Sequence, residues 1–374
     1  MKILQVANVR WFNAEADYAL RLCRELSGRG HQVHFAGLPE VKPTLAAGEM
    51  GLETTALTGL NTGHPFGWLS AYRLLRGHAK TERYDLVCAH RSEGYALLAA
   101  AVRRGSPKTV LVRTRGDMRP PRGGPLNRLL YGGWADGLVA SGEIVKDKMV
   151  GSLGLDPSRI RVIYYGVDTG TFRPGLGDRQ AIRGLPAGDL PVVGYVGRLG
   201  RTKGEEHLLR TLSLLAESDD QVRFVLAVKE EGDYPERFRK EVNRAGLGER
   251  TVVLGQVKDL PGLLNRFTVG LISSIGSEAN CRVALEMMAC GVPLAATRVG
   301  VIPEVVLEGE TGFLVPPGEP EALALAVTRL LKDRALRHKM AQSAPGRAAD
   351  CFSLGEMGRK TEEWYGELLE RKET

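Results

Sequence analysis

The chain has no D-x-D triplet, no grouped histidine and carboxylate ligands and no C-x-x-C pair. It therefore offers neither a carboxylate clamp for a metal-bound diphosphate nor a zinc frame, and no metal is expected. No G-x-G-x-x-G follows the first apolar run, residues 3–7, which removes the dinucleotide fingerprint of a dehydrogenase. No apolar run reaches membrane-spanning length, and the opening MKILQVANVR reads as a buried strand rather than a signal peptide, so a cytoplasmic protein is expected. Cysteine is sparse: Cys23, Cys88, Cys281, Cys290 and Cys351 are odd in number and scattered, as reduced thiols would be. Aromatics are only 6% of residues, and the most basic stretch, 101–130, has none with which to stack a base, so nucleic acid is not expected as a partner.

What remains is an ordinary globular composition, 43% hydrophobic and 25% charged, over 374 residues, enough for two domains with separate cores. Apolar runs at 3–7, 32–36, 86–89, 110–113 and 138–140, with 161–164 leading out, alternate with helical stretches such as 14–27. Alternation of this kind predicts a doubly wound parallel sheet. The stretch 166–191 is rich in glycine and proline and carries no apolar period, so a linker is drawn at 171–191. It divides a first domain, 1–170, from a second, 192–353, with strands expected at 192–196, 224–228, 252–254, 270–272, 293–296 and 312–315. An amphipathic helix, 354–370, closes the chain.

Two segments carry the chemistry. SEANCRVALEMMACGVPLAAT, residues 277–297, sets Glu278 and Glu286 eight apart across a loop and a short helix that ends at Gly291 before Pro293. A helix opening there turns free N–H groups and the positive end of its dipole toward the preceding loop, an anion site with one carboxylate at its rim and another a turn inside. Two solvated glutamates flanking an ordinary helix are the plainer reading. VVGYVGRLGRTKGEE, residues 192–206, reads as a buried strand, a glycine turn and a helix opened by a Thr202-to-Glu205 capping box. That places Arg198 and Lys203 beside a helix start beyond a strand end, where a planar guanidinium and a mobile ammonium suit a diphosphate, unless both are simply solvated.

Together these segments resemble the nucleotide-sugar half of the family 4 retaining glycosyltransferases. The likeness rests on Gly197, Arg198, Leu199, Lys203 and Gly204, on Glu278 and Glu286, on ACGVPLAAT, and on PEVVLEGETGFLVPPGEPEAL at 303–323, in matching order over 190 to about 350. It implies the GT-B fold: α/β, two Rossmann-like doubly wound parallel-sheet domains facing a central cleft, the last helix (about 354–374) crossing back onto the first domain. It further implies that Arg198 and Lys203 hold the donor diphosphate, Glu278 and the following backbone the sugar, and Glu286 the ribose. Donor contacts are then expected from Gly197, Ala279, Asn280, Cys281, Arg282 and Val283, with Val257 near the base. Where many members have glycine, an aromatic and glycine after the first glutamate, this chain has Ala279, Asn280 and Cys281, which narrows the sugar pocket and leaves the sugar open. The resemblance implies a UDP-, GDP- or ADP-linked sugar as donor and no need for a metal ion.

In the first domain the likeness is looser. Trp11, Phe12 and Asn13 stand where members commonly have glycines, and the two aromatics suit either an acceptor platform or the core. Arg115 replaces a frequent histidine and cannot act as a base. His90 and Asp117 are the candidate proton carriers; a structural histidine and an arginine-paired aspartate are the competing readings. Arg115, Arg119 and Arg122 lie in a stretch, 101–130, with eight basic residues and one acid, which suits an anionic glycan or glycolipid acceptor such as a lipopolysaccharide, or an anionic inner-membrane face. A sugar-nucleotide epimerase, a phosphorylase on the same architecture and a non-catalytic nucleotide-sugar-binding protein remain alternatives.

Overall fold

The computed structural model describes residues 1–58, 65–175, 190–228 and 234–373. Most of the expected linker, 176–189, lies outside the described residues. The chain divides into two compact units, residues 1–166 with 354–374, and residues 167–353.

The first unit is built on β1 (Lys2–Val6), β2 (Gln32–Gly37), β3 (Glu53–Ala56), β4 (Leu86–Ala89), β5 (Val110–Arg115), β6 (Gly137–Ala140) and β7 (Ile160–Val162). They form an all-parallel sheet in the order β3-β2-β1-β4-β5-β6-β7. Central strands such as LVCA and GLVA are buried throughout because helices cover both faces. The edge strand β3, ETTA, is largely exposed and has no apolar pattern, so the sequence reading missed it; pairing with β2 makes it a strand. β5 runs two residues further than expected: Thr114 and Arg115 pair with Val139 and Ala140. The last helix, Leu354–Glu373, returns to this unit and packs on Ala14–Gly28, burying Met357, Trp364, Tyr365 and Leu368.

The second unit repeats the plan with β8 (Val192–Gly197), β9 (Arg223–Val228), β10 (Thr251–Leu254), β11 (Val269–Ile272), β12 (Leu294–Thr297) and β13 (Gly312–Val315). The order is β10-β9-β8-β11-β12-β13. Phe224, Leu226, Leu212, Val327 and Leu330 are among the side chains of its core. In both sheets the strand order reverses once, between β1 and β4 and between β8 and β11. Such reversals leave a crevice beyond the carboxyl ends of the two strands, where α/β sheets take ligands.

Candidate functional site

In the second unit the reversal brings together the two segments singled out in the sequence. β8 ends at Gly197, Arg198 follows in an exposed position, and its carbonyl accepts a hydrogen bond from the Tyr195 hydroxyl at 2.6 Å. One 3-10 turn, Arg201–Lys203, leads through Gly204 into the helix Glu205–Ser218. The capping box does not form. Thr202 lies inside the turn, Gly204 takes the cap position with no side-chain bond, and the Thr202 carbonyl instead accepts from the N–H groups of Ile275 and Gly276, both at 3.0 Å. Gly204 sits at φ 69°, and a Cβ there would come within 2.0 Å of the Ser273 carbonyl oxygen. Only glycine lets the turn press so closely on the end of β11. Ser273 Oγ donates to the Lys203 carbonyl at 3.0 Å, which ties the two loops together.

The result is that Lys203 meets Glu278. The Lys203 ammonium is hydrogen-bonded to the Glu278 carboxylate and donates to the Ser277 carbonyl at 3.2 Å. Ser274 Oγ donates to the same carboxylate at 2.6 Å. The two charged side chains are only 25% and 15% exposed, so water screens the pair weakly. The Glu278 backbone is held as firmly: Val301 N–H donates to its carbonyl at 2.8 Å, and Gly300, at φ 57°, approaches where a Cβ would fall 2.1 Å from that oxygen.

Three residues on, Cys281 adopts the left-handed conformation, φ 47°, and heads the helix Arg282–Ala289 without a side-chain cap. An L-residue there costs roughly 1–2 kcal/mol, which accounts for glycine at this position in the resembled family. Burial, followed by the Glu278 charge, pushes the Cys281 thiol well above its ordinary range, so it is no nucleophile. Glu286 lies one turn into the helix and is 4% exposed, with Arg282 Nε 3.5 Å from Oε1. Ala279 is buried, and Asn280 and Val283 are half-buried. Val257 follows the edge strand β10, two strands from β8.

In the first unit the reversal point lies at the ends of β1 and β4. A small pocket there is lined by Val6, Asn8, Ala89, Arg91, Tyr95 and Leu98. Asn8 and Arg91 were not among the residues the sequence pointed to, although each lies two residues beyond a strand end, which is the signal that could have found them. Asn13 caps the helix Ala14–Gly28 by accepting from the Ala16 N–H at 2.9 Å. Trp11 and Phe12 are 78% and 47% exposed, which removes the core reading of them.

For the two candidate proton carriers the structure shows the competing readings, a buried histidine and a paired aspartate. His90 is 2% exposed, with Nε2 2.7 Å from Gln5 Oε1, and burial, helped by the Arg113 charge, lowers it to about 3. It is neutral at physiological pH and enclosed by the sheet. Burial alone would raise the Asp117 carboxyl, but hydrogen bonds and charge from Arg119 outweigh it and hold it below the ordinary range. Arg119 Nη2 donates to Asp117 at 2.8 Å.

The basic stretch is not one solvated face. Arg113 is 2% exposed and donates to the Ala89 carbonyl at 2.9 Å; Arg115 is 7% exposed, ends β5 rather than standing on the loop, and donates to the Arg119 carbonyl. Arg103 pairs with Asp136 at 2.5 Å. Arg119, Arg122 and Arg128 are exposed, and beside them Leu126 and Leu129 are 61% and 44% exposed, an apolar element the sequence reading did not note.

Residues 179–347 match the family model described as Glycosyl transferases group 1, and residues 16–171 match Glycosyltransferase Family 4. The chain is 37% identical over 226 residues to a D-inositol 3-phosphate glycosyltransferase of Acidothermus cellulolyticus, a match covering 57% of this chain and 49% of that protein. It is 32% identical over 223 residues to the protein of the same name from Actinosynnema mirum, covering 57% and 53%. The chain thus spans about half the length of these curated relatives. Among solved structures, Anabaena HepE in complex with UDP superposes with a TM-score of 0.85 at 22% identity, over 98% of this chain and 100% of that one.

Proposed function

Given that the chain belongs to family 4 of the glycosyltransferases, we propose that it moves a sugar from a nucleotide diphosphate donor to a hydroxyl group, with retention at the anomeric carbon. The observation that carries this reading is the Lys203–Glu278 pair at the ends of β8 and β11. A donor diphosphate exchanges partners with it: Lys203 and Arg198 turn to the phosphates, and the Glu278 carboxylate is released to accept sugar hydroxyls, with Ser274 still holding it. Residues 279–283 then line the sugar and phosphates, Glu286 takes the ribose hydroxyls, and the backbone around Val257 meets the base. HepE was solved with UDP and UDP-glucose, which makes uridine donors the first to try before GDP- and ADP-linked ones.

Three candidate groups are poorly placed to act as nucleophile or base. His90 is enclosed and neutral, Asp117 is committed to Arg119, and the Cys281 thiol is buried and protonated. In this reading the departing phosphate itself takes the acceptor proton on the face it leaves. The chain supplies position and fixed positive charge where negative charge grows, and no metal is required.

The exposed arginines 119, 122 and 128 with Leu126 and Leu129 favour an anionic acceptor. A lipopolysaccharide, glycolipid or surface glycan fits, as does a phosphorylated polyol like the one in the relatives' names. The same mix of charge and apolar side chains fits peripheral contact with an anionic membrane from the cytoplasmic side.

The test is nucleotide diphosphate release from UDP-, GDP- and ADP-linked sugars, with and without acceptor and with excess chelator. Expected are acceptor-dependent release that chelator leaves unchanged and a product anomeric proton matching the donor configuration by NMR. Donor binding with no release on any acceptor would favour the non-catalytic alternative.

A further inference from the structure

We propose that His34, Glu53 and Glu82 form a binding site for a zinc-like divalent transition ion at the β3 edge of the first sheet, on elements separate from the donor site. His34 on β2 and Glu53 on β3 stand directly opposite in the parallel register, so both side chains leave the same face. His34 Nε2 lies 3.1 Å from Glu53 Oε2, close to the spacing of about 3.3 Å that two ligands of a tetrahedral zinc adopt. Glu82 ends the helix Pro65–Glu82 and brings in a second carboxylate; one donor atom from each of the three residues lies within 4.8 Å of the others. One imidazole and two carboxylates are ligands that suit zinc.

The groups behind His34 are those a ligating histidine needs. Its side chain is 2% exposed and its Nδ1 is 2.9 Å from the Tyr84 hydroxyl, which in turn is 2.9 Å from His78 Nε2. A single phenolic proton serves two imidazoles, and it can go either way. In one sense Tyr84 donates to His34 Nδ1, and His34 Nε2–H donates to Glu53, which closes the network without an ion. In the other, Tyr84 donates to His78 and accepts from His34 Nδ1–H. His34 Nε2 then turns a lone pair toward the Glu53 carboxylate, an arrangement that a cation makes favourable and that, without one, the Gln32 amide N–H can offset. That second state is the oriented tautomer of a metal-bound histidine with its outer partner in place.

Two neighbours must accommodate the ion. Lys2 Nζ holds one Glu82 oxygen at 2.7 Å, which leaves the other oxygen for the metal, and one ammonium against two carboxylates still leaves a negative site. The Gln32 amide nitrogen lies 3.2 Å from His34 Nε2, and turning the amide presents its oxygen instead.

The experiment is a calorimetric titration of the untagged, chelator-stripped chain with Zn2+, with NMR of the imidazole nitrogens as the second readout. One equivalent should bind, and His34 should shift to the Nδ1–H tautomer. Glu53→Gln at an exposed side chain and Glu82→Gln at a half-buried one should each weaken binding about tenfold or more while leaving the thermal transition of the ion-free chain in place. The proposal falls if no zinc is taken up, if both variants bind as the parent does, or if the His34 signals do not change on saturation.

Discussion

At the scale of single residues, the proposed donor site depends on charges placed by close backbone contact. Lys203→Ala and Arg198→Ala are each expected to lower turnover at least tenfold, about 1.4 kcal/mol in the barrier, because in the proposed mechanism both stand where the leaving group gains charge. Thermal transitions measured alongside separate this from unfolding, since Lys203 also pairs with Glu278. Turnover within twofold of the parent for both variants would remove them from the mechanism. Gly204→Ala is a different case: its added Cβ meets the Ser273 carbonyl at φ 69°, so it should cost about 2 kcal/mol or more in denaturant unfolding. A loss under half of that would mean the β8–β11 turn yields easily.

At the scale of elements, the final helix decides the first unit. Met357, Trp364, Tyr365 and Leu368 are each at most 3% exposed, and burying such side chains contributes about 1.5–3 kcal/mol apiece, together comparable to the whole margin of a typical domain. Trp364→Ala should therefore cost about 3–5 kcal/mol, and a chain ending at residue 353 should lose the transition of the first unit; a truncated chain that keeps it would show that the helix is dispensable. The same helix carries an acid-sensitive turn. Hydrogen bonds from Arg359, and then Lys360, outweigh burial and pull Glu356 down to about 2. A folded-state value below the unfolded one means the stabilisation is present above the ordinary glutamate range and is lost as pH falls through that range toward 2. Glu356→Gln should lower stability at pH 7, where the carboxylate's contribution is fully present, and change little near pH 2, so that its profile is flatter between about pH 4.5 and 2; identical profiles would show that the pair contributes nothing.

At the scale of the whole molecule, a net charge of +7 meets a surface on which three arginines and two leucines are exposed together. Each such cation gains about 1 kcal/mol near an anionic bilayer, and the leucines add apolar contact. Co-sedimentation with vesicles should rise with anionic lipid content and fall with salt, and an Arg119→Glu, Arg122→Glu variant should lose it. Equal sedimentation of variant and parent, with equal use of neutral and anionic acceptors, would reduce the stretch to solvated surface.

The sequence by itself determined the two parallel sheets, the family and the two segments that meet at the β8–β11 reversal. Strand runs such as LVCA at 86–89 and GFLV at 312–315 were legible to the residue, and the helix stop at Gly291 was legible from glycine and proline alone. These signals are set within a few residues by backbone sterics and apolar period. Only the tertiary structure decided the rest. It brought Lys203 onto Glu278 because β8 and β11 are neighbours, made ETTA a strand by pairing it with β2, and buried His90, Arg113 and Arg115, whose exposure their local sequence left open. It also set Thr202 inside a turn rather than at a cap. In each case the deciding contact is with a residue distant in the chain, and burial and pairing partners follow from strand order, which no local pattern encodes.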